Sequence, residues 1–223
     1  MYSYPTSWLA GVAQTLRNPS PSPIGGEWCR FFADVAMTTP SKQSQAYYDL
    51  IVSEDLKWHR HTLYDVCMTP PTDTDSEWGP SGNPQVLAPL ILMWTVNPPD
   101  PRHPDYAQAY TGDEEWYRDA HTSVGISMGI TALTAQQNGF ATGFCACIQI
   151  PLLKTAMTQR GIHRDRWISP QILAISRDEG RANRQHPLQP GQTFQASVKW
   201  PRSVTYIDHR GQLDSETYGD EPR

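Results

Sequence analysis

Hydrophobic residues recur along the chain at two spacings, which separate predicted helices from predicted strands. Trp28, Phe31 and Val35 lie three or four positions apart, as one face of a helix requires. They predict a helix over residues 27–37, which Pro40 prevents from continuing. Further helices are predicted over residues 7–16, 54–66, 112–138 and 151–160.

Short apolar runs predict about four or five strands. The run over residues 86–96, VLAPLILMWTV, is apolar at almost every position, as expected of a central strand that is buried on both faces. The other predicted strands cover residues 47–52, 140–150 and 167–176, with a final extended segment at 203–207. No Gly-rich phosphate loop follows a strand, which argues against a doubly wound sheet. The predicted fold class is α+β, with α/β as the alternative.

The longest predicted helix, over residues 112–138, is dense in small residues. Gly125 and Gly129 lie four positions apart and therefore on one face. Each costs about 1 kcal/mol of helix stability relative to Ala, so we expect something to approach this face closely. A neighbouring helix, a second subunit or a flat ligand would each fit. Gly139 is expected to end the helix.

Two stretches, residues 69–85 and 97–111, are rich in Pro, Thr, Asp and Gly and show no convincing period. Such stretches are typical of loops or lids. The chain of 223 residues is 38% hydrophobic, which is enough for one compact domain or two small ones. We predict a single domain over residues 1–223, with a lid or insert at about 69–111 and a C-terminal extension at about 203–223.

Charge and cysteine content restrict the possible partners and location. The formal net charge of −5 argues against non-specific binding to nucleic acid, because no global positive field is available. No apolar run reaches the ~18 residues of a membrane span, and the N-terminus lacks the pattern of a signal peptide. The 4 cysteines form no disulfide framework. We expect a soluble, cytoplasmic protein with reduced thiols.

Two cysteines, Cys145 and Cys147, lie two positions apart in a predicted strand and would point the same way. A Cys-x-Cys metal site is conceivable, but no second ligand pair with zinc spacing follows, so we predict small buried residues instead. His59 and His61 face apart on a helix and do not make a metal site with Cys67. No Gly-x-Ser-x-Gly element of a serine hydrolase is present.

The loop before the first predicted strand carries an unusual number of hydrogen-bonding side chains. It follows Pro40 and contains one cation among hydroxyl and amide groups. A plain turn would explain this composition, and so would a polar, anionic ligand. The side chains are Ser41, Lys42, Gln43 and Gln45.

Several segments, taken in order, resemble the nitroreductase family of FMN-dependent flavoproteins. They are QTLR at 14–17, PSKQSQAYYDLIV at 40–52, LAPLILMWTV at 87–96, VGISMGITALTAQQNGFATGFCACI at 124–148 and VKWPRSVTYID at 198–208. Three departures stand out. Gln14 and Thr15 replace an Arg-Ser pair, Ala46-Tyr47 stands where Pro-Trp is common, and Gly143-Phe144 replaces Cys-Trp. The two stretches predicted as loops or lids have no match.

The resemblance implies a fold, a cofactor and a reaction. The fold would be nitroreductase-like, with a central mixed or antiparallel sheet flanked by helices, in a domain-swapped homodimer with flavin sites at the subunit interface. NADH or NADPH would pass hydride to N5 of FMN, and an electron-poor small molecule such as a nitroaromatic or quinone would take it up. The alternatives are an FMN-binding protein without turnover, and a specialised flavin enzyme acting on a defined small molecule.

The resemblance also assigns cofactor-binding roles, and it assigns no catalytic side chain. Cations and a hydroxyl would bind the flavin phosphate. The polar loop would bind the edge of the ring. A backbone N–H near the end of the strand after the long helix would point at N5. Lys42 would lie near N1 and O2 and favour the reduced flavin. The phosphate residues are Gln14, Thr15, Arg17, Lys199 and Arg202, the ring-edge residues are Ser41, Lys42, Gln43 and Gln45, and the N5 segment is Cys145, Ala146 and Cys147.

Overall fold

The computed structural model describes residues 16, 19–41, 47–67, 83–99 and 112–177, and the backbone of two strands at 203–207 and 213–217. The chain divides into two compact units, Met1–Pro187 and Leu188–Arg223. The first contains a four-stranded sheet, and the second a two-stranded sheet. No helix in the described part of the chain is long and apolar enough to cross a membrane. The predicted single domain with a lid stays a prediction.

The sheet of the first unit is antiparallel throughout, in the order β1-β2-β4-β3. Because β2 and β4 are central, β1 and β3 form its two edges. Every residue of β2 is buried, as predicted for a central strand. The strands are β1 Tyr48–Ser53, β2 Leu90–Val96, β3 Ala141–Cys145 and β4 Ile168–Ser176.

Helices cover both faces of this sheet. The helices are α1 Gly26–Met37, α2 in the three parts Leu56–Trp58, His59–Leu63 and Tyr64–Val66, α3 Asp113–Gln137 and α4 Ile150–Thr158. Residues of α1 and α3 share one buried cluster with Leu92 and Trp94 of β2. Residues of α2 and α4 share a second cluster with Ile91 and Met93. Successive residues of β2 therefore face opposite helical layers, which explains its unbroken apolar run.

The predicted helices at 27–37, 54–66, 112–138 and 151–160 are confirmed with small shifts at their ends. Gly139 ends α3 with a φ of 79°, a left-handed conformation that favours glycine. Within α2, the middle part His59–Leu63 is π-helical. Asp55 caps the N-terminus of α2, because the Asp55 side chain accepts a hydrogen bond from the backbone N–H of Trp58 at 2.9 Å. The predicted helix at 7–16 lies outside the described residues except for Leu16.

Two predicted strands begin or end in the wrong place. The predicted start of β2 at residue 86 is wrong, because Pro84–Leu87 forms a 3-10 turn and the strand begins at Leu90. The predicted strand over 140–150 ends at Cys145, and α4 begins at Ile150 with Pro151 in its first turn. The run is mostly apolar from Phe140 to Ile148, so its composition gives no signal that the strand ends at Cys145.

The second unit contains an antiparallel pair, β5 Ser203–Ile207 and β6 Leu213–Thr217. The extended segment predicted at 203–207 is confirmed as β5. Its partner β6 was not predicted, since its sequence LDSET carries few apolar residues.

Candidate functional site

The edge strand β3 carries the segment predicted to face the flavin. Thr142, Gly143 and Cys145 are buried, whereas the Phe144 side chain is 48% exposed. Ala146 and Cys147, which follow the strand, are both exposed. The end of β3 therefore offers an accessible backbone next to one exposed aromatic ring.

Two residues from near the N-terminus, Leu16 and Ser20, pair with the backbone of the sheet. The backbone N–H of Leu16 donates to the carbonyl oxygen of Thr142 at 2.9 Å, and the N–H of Ser20 donates to the carbonyl of Arg177, just beyond β4, at 2.9 Å. Leu16 is the described residue of the predicted phosphate segment, QTLR. The structure thus brings Leu16 to β3, whose end carries the predicted N5 segment.

Gly143 packs too closely against its neighbours for any side chain. A Cβ built on Gly143 would lie 2.7 Å from Cβ of Gln85 and 3.2 Å from Cβ of Leu16. Because real Cβ atoms essentially never approach backbone-anchored carbon atoms to 2.7 Å, glycine is required here. The requirement accounts for one departure from the family pattern, in which Gly143 stands in place of Cys.

Gln85 is a site residue that the sequence analysis missed. It is 4% exposed, and its Nε2 donates to the carbonyl oxygen of Phe144 at 3.1 Å. Its Oε1 is buried without a hydrogen-bond partner among the described residues. A buried acceptor without a hydrogen bond lowers the stability of the folded protein unless a ligand or water supplies a donor. The signal that could have found it is a lone amide in the otherwise apolar run after Asn83.

An amide and a second thiol lie beside the sulfur of Cys145. Nδ2 of Asn83 donates to this sulfur at 3.3 Å, and Cys67 is the neighbouring thiol. The interaction with Cys67 lowers the pKa of Cys145 although burial opposes the shift. The same interaction, together with burial, raises the pKa of the Cys67 thiol.

The expectation that Cys145 and Cys147 are both small buried residues is half wrong. Cys145 is buried and Cys147 is exposed, because β3 ends between them and the alternation of a strand no longer applies. The part of the chain described here contains no group of three or more His, Cys, Asp or Glu residues that could hold a metal ion.

Ser41 lies in the chain between α1 and β1. The strands β1 and β3 are opposite edges of the sheet. Three strand spacings of about 4.8 Å put these edges roughly 14 Å apart. Tyr47, at the end of the polar loop, is buried against the ring of Trp116 at 4.9 Å between centroids.

The remaining predicted site residues lie outside the described part of the chain, and their roles stay predictions. The structure describes the positions of Ser41 and of the N5 segment, and their roles toward a flavin also stay predictions. The residues outside are Gln14, Thr15, Arg17, Lys42, Gln43, Gln45, Lys199 and Arg202.

Solved structures with the same arrangement of helices and sheet come from several bacteria. A nitroreductase family protein from Streptococcus pneumoniae TIGR4 aligns over 82% of this chain and 96% of its own, with a TM-score of 0.58 and 10% identity. One from Clostridium novyi NT aligns over 79% and 88%, with a TM-score of 0.55 and 16% identity. The chain has the nitroreductase fold.

A third structure with the nitroreductase fold is described as an FMN-dependent nitroreductase from Clostridium difficile R20291. It aligns over 77% of this chain and 88% of its own, with a TM-score of 0.51 and 16% identity. No protein-family model and no curated protein matches the sequence. The predicted α+β class and the resemblance to the nitroreductase fold are confirmed, and at these identities the likeness establishes the fold alone.

Proposed function

We propose that this protein is an FMN-dependent oxidoreductase of the nitroreductase type. Hydride would pass from NADH or NADPH through N5 of the flavin to an electron-poor acceptor such as a nitroaromatic or a quinone. The observation that carries the proposal is the hydrogen bond from Leu16 to Thr142. It places a residue of the proposed phosphate segment on the strand that leads to the proposed N5 segment.

The described residues fit a flavin at this edge. The Phe144 ring offers an exposed apolar surface, and the backbone at Ala146 is accessible. The buried Oε1 of Gln85 needs a donor, and the flavin carries an N–H at its pyrimidine side. When bound, FMN supplies the redox chemistry, because its N5 accepts and delivers hydride.

The protein's own residues would bind and orient the cofactor. Guanidinium groups suit a phosphate because their planar fork donates to two oxygens at once, which is the role we assign to Arg17 and Arg202, with Lys199 as a further cation. A cation at Lys42, near N1 and O2, would stabilise negative charge on the reduced ring. No side chain is required as an acid or base.

We also propose a homodimer with a flavin site at each end of the interface. Ser41 precedes β1 in the chain and Cys145 ends β3, and these strands are opposite edges of one sheet, so two chains are the simpler way to bring both segments to one flat ring. Helix α3 has an exposed apolar face that suits a second copy. Its members are Gly125, Ile126, Gly129, Ile130 and Leu133, and the three large ones are 38–39% exposed.

The proposed location and the proposed class of partner follow from the cysteines and from the net charge. All four cysteines are free thiols, which fits the cytoplasmic location that we propose. With a net charge of −5, we assign small-molecule partners rather than nucleic acid.

The first test is the absorbance spectrum of the purified protein. We expect yellow protein that releases FMN, that NADH or NADPH bleaches without oxygen, and that a quinone or nitroaromatic returns to the oxidised spectrum. An Arg17→Gln variant should bind FMN at least about tenfold more weakly, since it loses charge-assisted hydrogen bonds. Arg166→Gln, a change of an exposed Arg, is the matched control. Colourless protein that fails to take up added FMN would end the proposal.

One observation favours a second candidate function, FMN binding without turnover by nicotinamides. Gln14 and Thr15 replace an Arg-Ser pair at the proposed phosphate segment, which removes one cation. Bound flavin that neither NADH nor NADPH bleaches under anaerobic conditions would favour this candidate over the first.

A further inference from the structure

Cys67 and Cys145 are distant in sequence and meet in the folded protein. Cys67 directly follows α2, and Cys145 is the last residue of β3. The backbone N–H of Gln149 donates to the carbonyl oxygen of Val66 at 2.9 Å, which ties the two segments together beside the thiols. Both thiols are buried in the same apolar cluster.

The surroundings of Cys145 favour a thiolate. Nδ2 of Asn83 donates to its sulfur at 3.3 Å. The same Nδ2 donates to the carbonyl oxygen of Cys67 at 2.9 Å, which fixes Asn83 between the two cysteines. A donor held in place beside a sulfur stabilises its negative charge, the interaction with Cys67 acts in the same direction, and the thiolate is the reactive form of cysteine.

We propose that Cys67 and Cys145 form a redox-active pair that a hydroperoxide converts to a disulfide. In the first step the Cys145 thiolate attacks the peroxide. The O–O bond breaks, one oxygen joins sulfur as a sulfenic acid, and the other leaves as an alcohol or as water after taking a proton. In the second step the sulfur of Cys67 attacks that of Cys145. The S–S bond forms, the S–O bond breaks, and the departing hydroxide takes the Cys67 proton to become water.

The order of these steps follows from the interaction between the two thiols. While Cys145 carries a negative charge, that charge and burial raise the pKa of Cys67, so Cys67 remains a thiol. Oxidation of Cys145 removes that charge, so the Cys67 thiol can then ionise and attack. In total, two thiols lose two electrons and two protons, and one hydroperoxide is reduced to an alcohol and water.

Cys29 provides an internal control for burial. Cys29 and Cys145 are each 3% exposed, so a small oxidant reaches both with similar difficulty. Burial and the neighbouring Glu54 raise the pKa of Cys29 to about 12. Cys29 therefore remains a thiol at neutral pH and is expected to be inert.

The test treats the full-length, reduced protein with increasing hydrogen peroxide, then alkylates free thiols and maps peptides by mass spectrometry. We expect a loss of about 2 Da, one cross-linked peptide joining Cys67 to Cys145, and reversal by dithiothreitol. Cys145 should react at least about tenfold faster than Cys29. Neither readout depends on flavin or on turnover, so the result is separate from the proposed function.

Two variants separate the steps. Cys67→Ser keeps the size of the side chain and removes the sulfur that would attack in the second step, so oxidation should stop at a sulfenic acid that dimedone traps. Cys29→Ser should leave the cross-link unchanged. Equal reaction rates at Cys29 and Cys145, or a cross-link joining Cys145 to Cys147 instead, would overturn the proposal. Both outcomes can be read from the unmodified protein, so they do not depend on whether a variant folds.

Discussion

Gly143 and Gln85 pack so closely that a Cβ on Gly143 would lie 2.7 Å from Cβ of Gln85. This contact holds β3 against the 3-10 turn Pro84–Leu87. Since the same Cβ would lie 3.2 Å from Cβ of Leu16, the packing of three separate parts of the chain depends on the absence of one side chain.

The contact predicts a large effect for a small substitution. Gly143→Ala should lower the free energy of unfolding by roughly 1–3 kcal/mol, because neither neighbour can move without shifting backbone. Gly26→Ala is the matched control, since a Cβ there meets nothing within 4 Å. Urea unfolding of both variants measures the difference. Equal midpoints for Gly143→Ala and the unmodified protein would contradict the close packing.

The unpartnered oxygen of Gln85 predicts a selective effect on cofactor binding. Gln85→Leu removes a buried acceptor that we assign to the flavin, so the Kd for FMN should rise about tenfold. Stability without flavin should change less, because removing the buried acceptor offsets part of the loss of the hydrogen bond to the carbonyl oxygen of Phe144. Titration followed by flavin fluorescence gives the Kd, with Gln159→Leu, at the end of α4, as the control. Unchanged FMN affinity would remove Gln85 from the site.

His59 predicts a loss of stability in mild acid. Its ring contacts the Ser53 hydroxyl at 2.8 Å and the carbonyl oxygen of Ala88 at 2.9 Å. Burial lowers its pKa from 6.5 to about 4. Between these values the unfolded chain binds a proton that the folded protein does not, so stability is present above pH 6.5 and falls as the pH drops toward 4.

The expected loss between pH 7 and pH 5 is about 2 kcal/mol. Denaturant unfolding at the two pH values measures it. His59→Gln should remove most of this pH dependence, whereas His163→Gln, which changes an exposed side chain, should preserve it. A variant at His59 that keeps the full pH dependence would assign the effect to another group.

The exposed face of α3 predicts the assembly state. Ile130→Glu should weaken the proposed homodimer at least about 100-fold, because an unpaired charge buried at an interface costs several kcal/mol. Light scattering after size exclusion would then report a monomer, and bound FMN should decrease with it. Thr155→Glu adds the same charge on α4 and should leave the assembly intact. A monomer before any substitution would refute the proposed interface.

Sequence patterns were informative where one physical effect dominated. The helical spacing of Trp28, Phe31 and Val35 predicted α1 to within a residue, and burial on both faces predicted the apolar run of β2. The end of β3 was mispredicted because the mostly apolar composition continues past Cys145 to Ile148. Composition alone does not predict the residue at which a strand stops pairing with its neighbour.

The site was harder to predict, because its contacts join residues far apart in sequence. The pairing of Leu16 with Thr142 depends on the fold, and one sequence gives no signal of it. Gln85 was missed for a different reason. A single amide in an apolar run has no period, and its importance comes from an unpaired oxygen that only coordinates reveal.

The segment from Leu16 to Ser20 has one more effect, on solubility. An edge strand with free N–H and C=O groups is a template for pairing with other molecules. Leu16 occupies the carbonyl of Thr142 on the outer side of β3, and Ser20 occupies that of Arg177 just beyond β4. A chain shortened to begin after Ser20 would lose this cover, and it should aggregate during expression even if its sheet still forms.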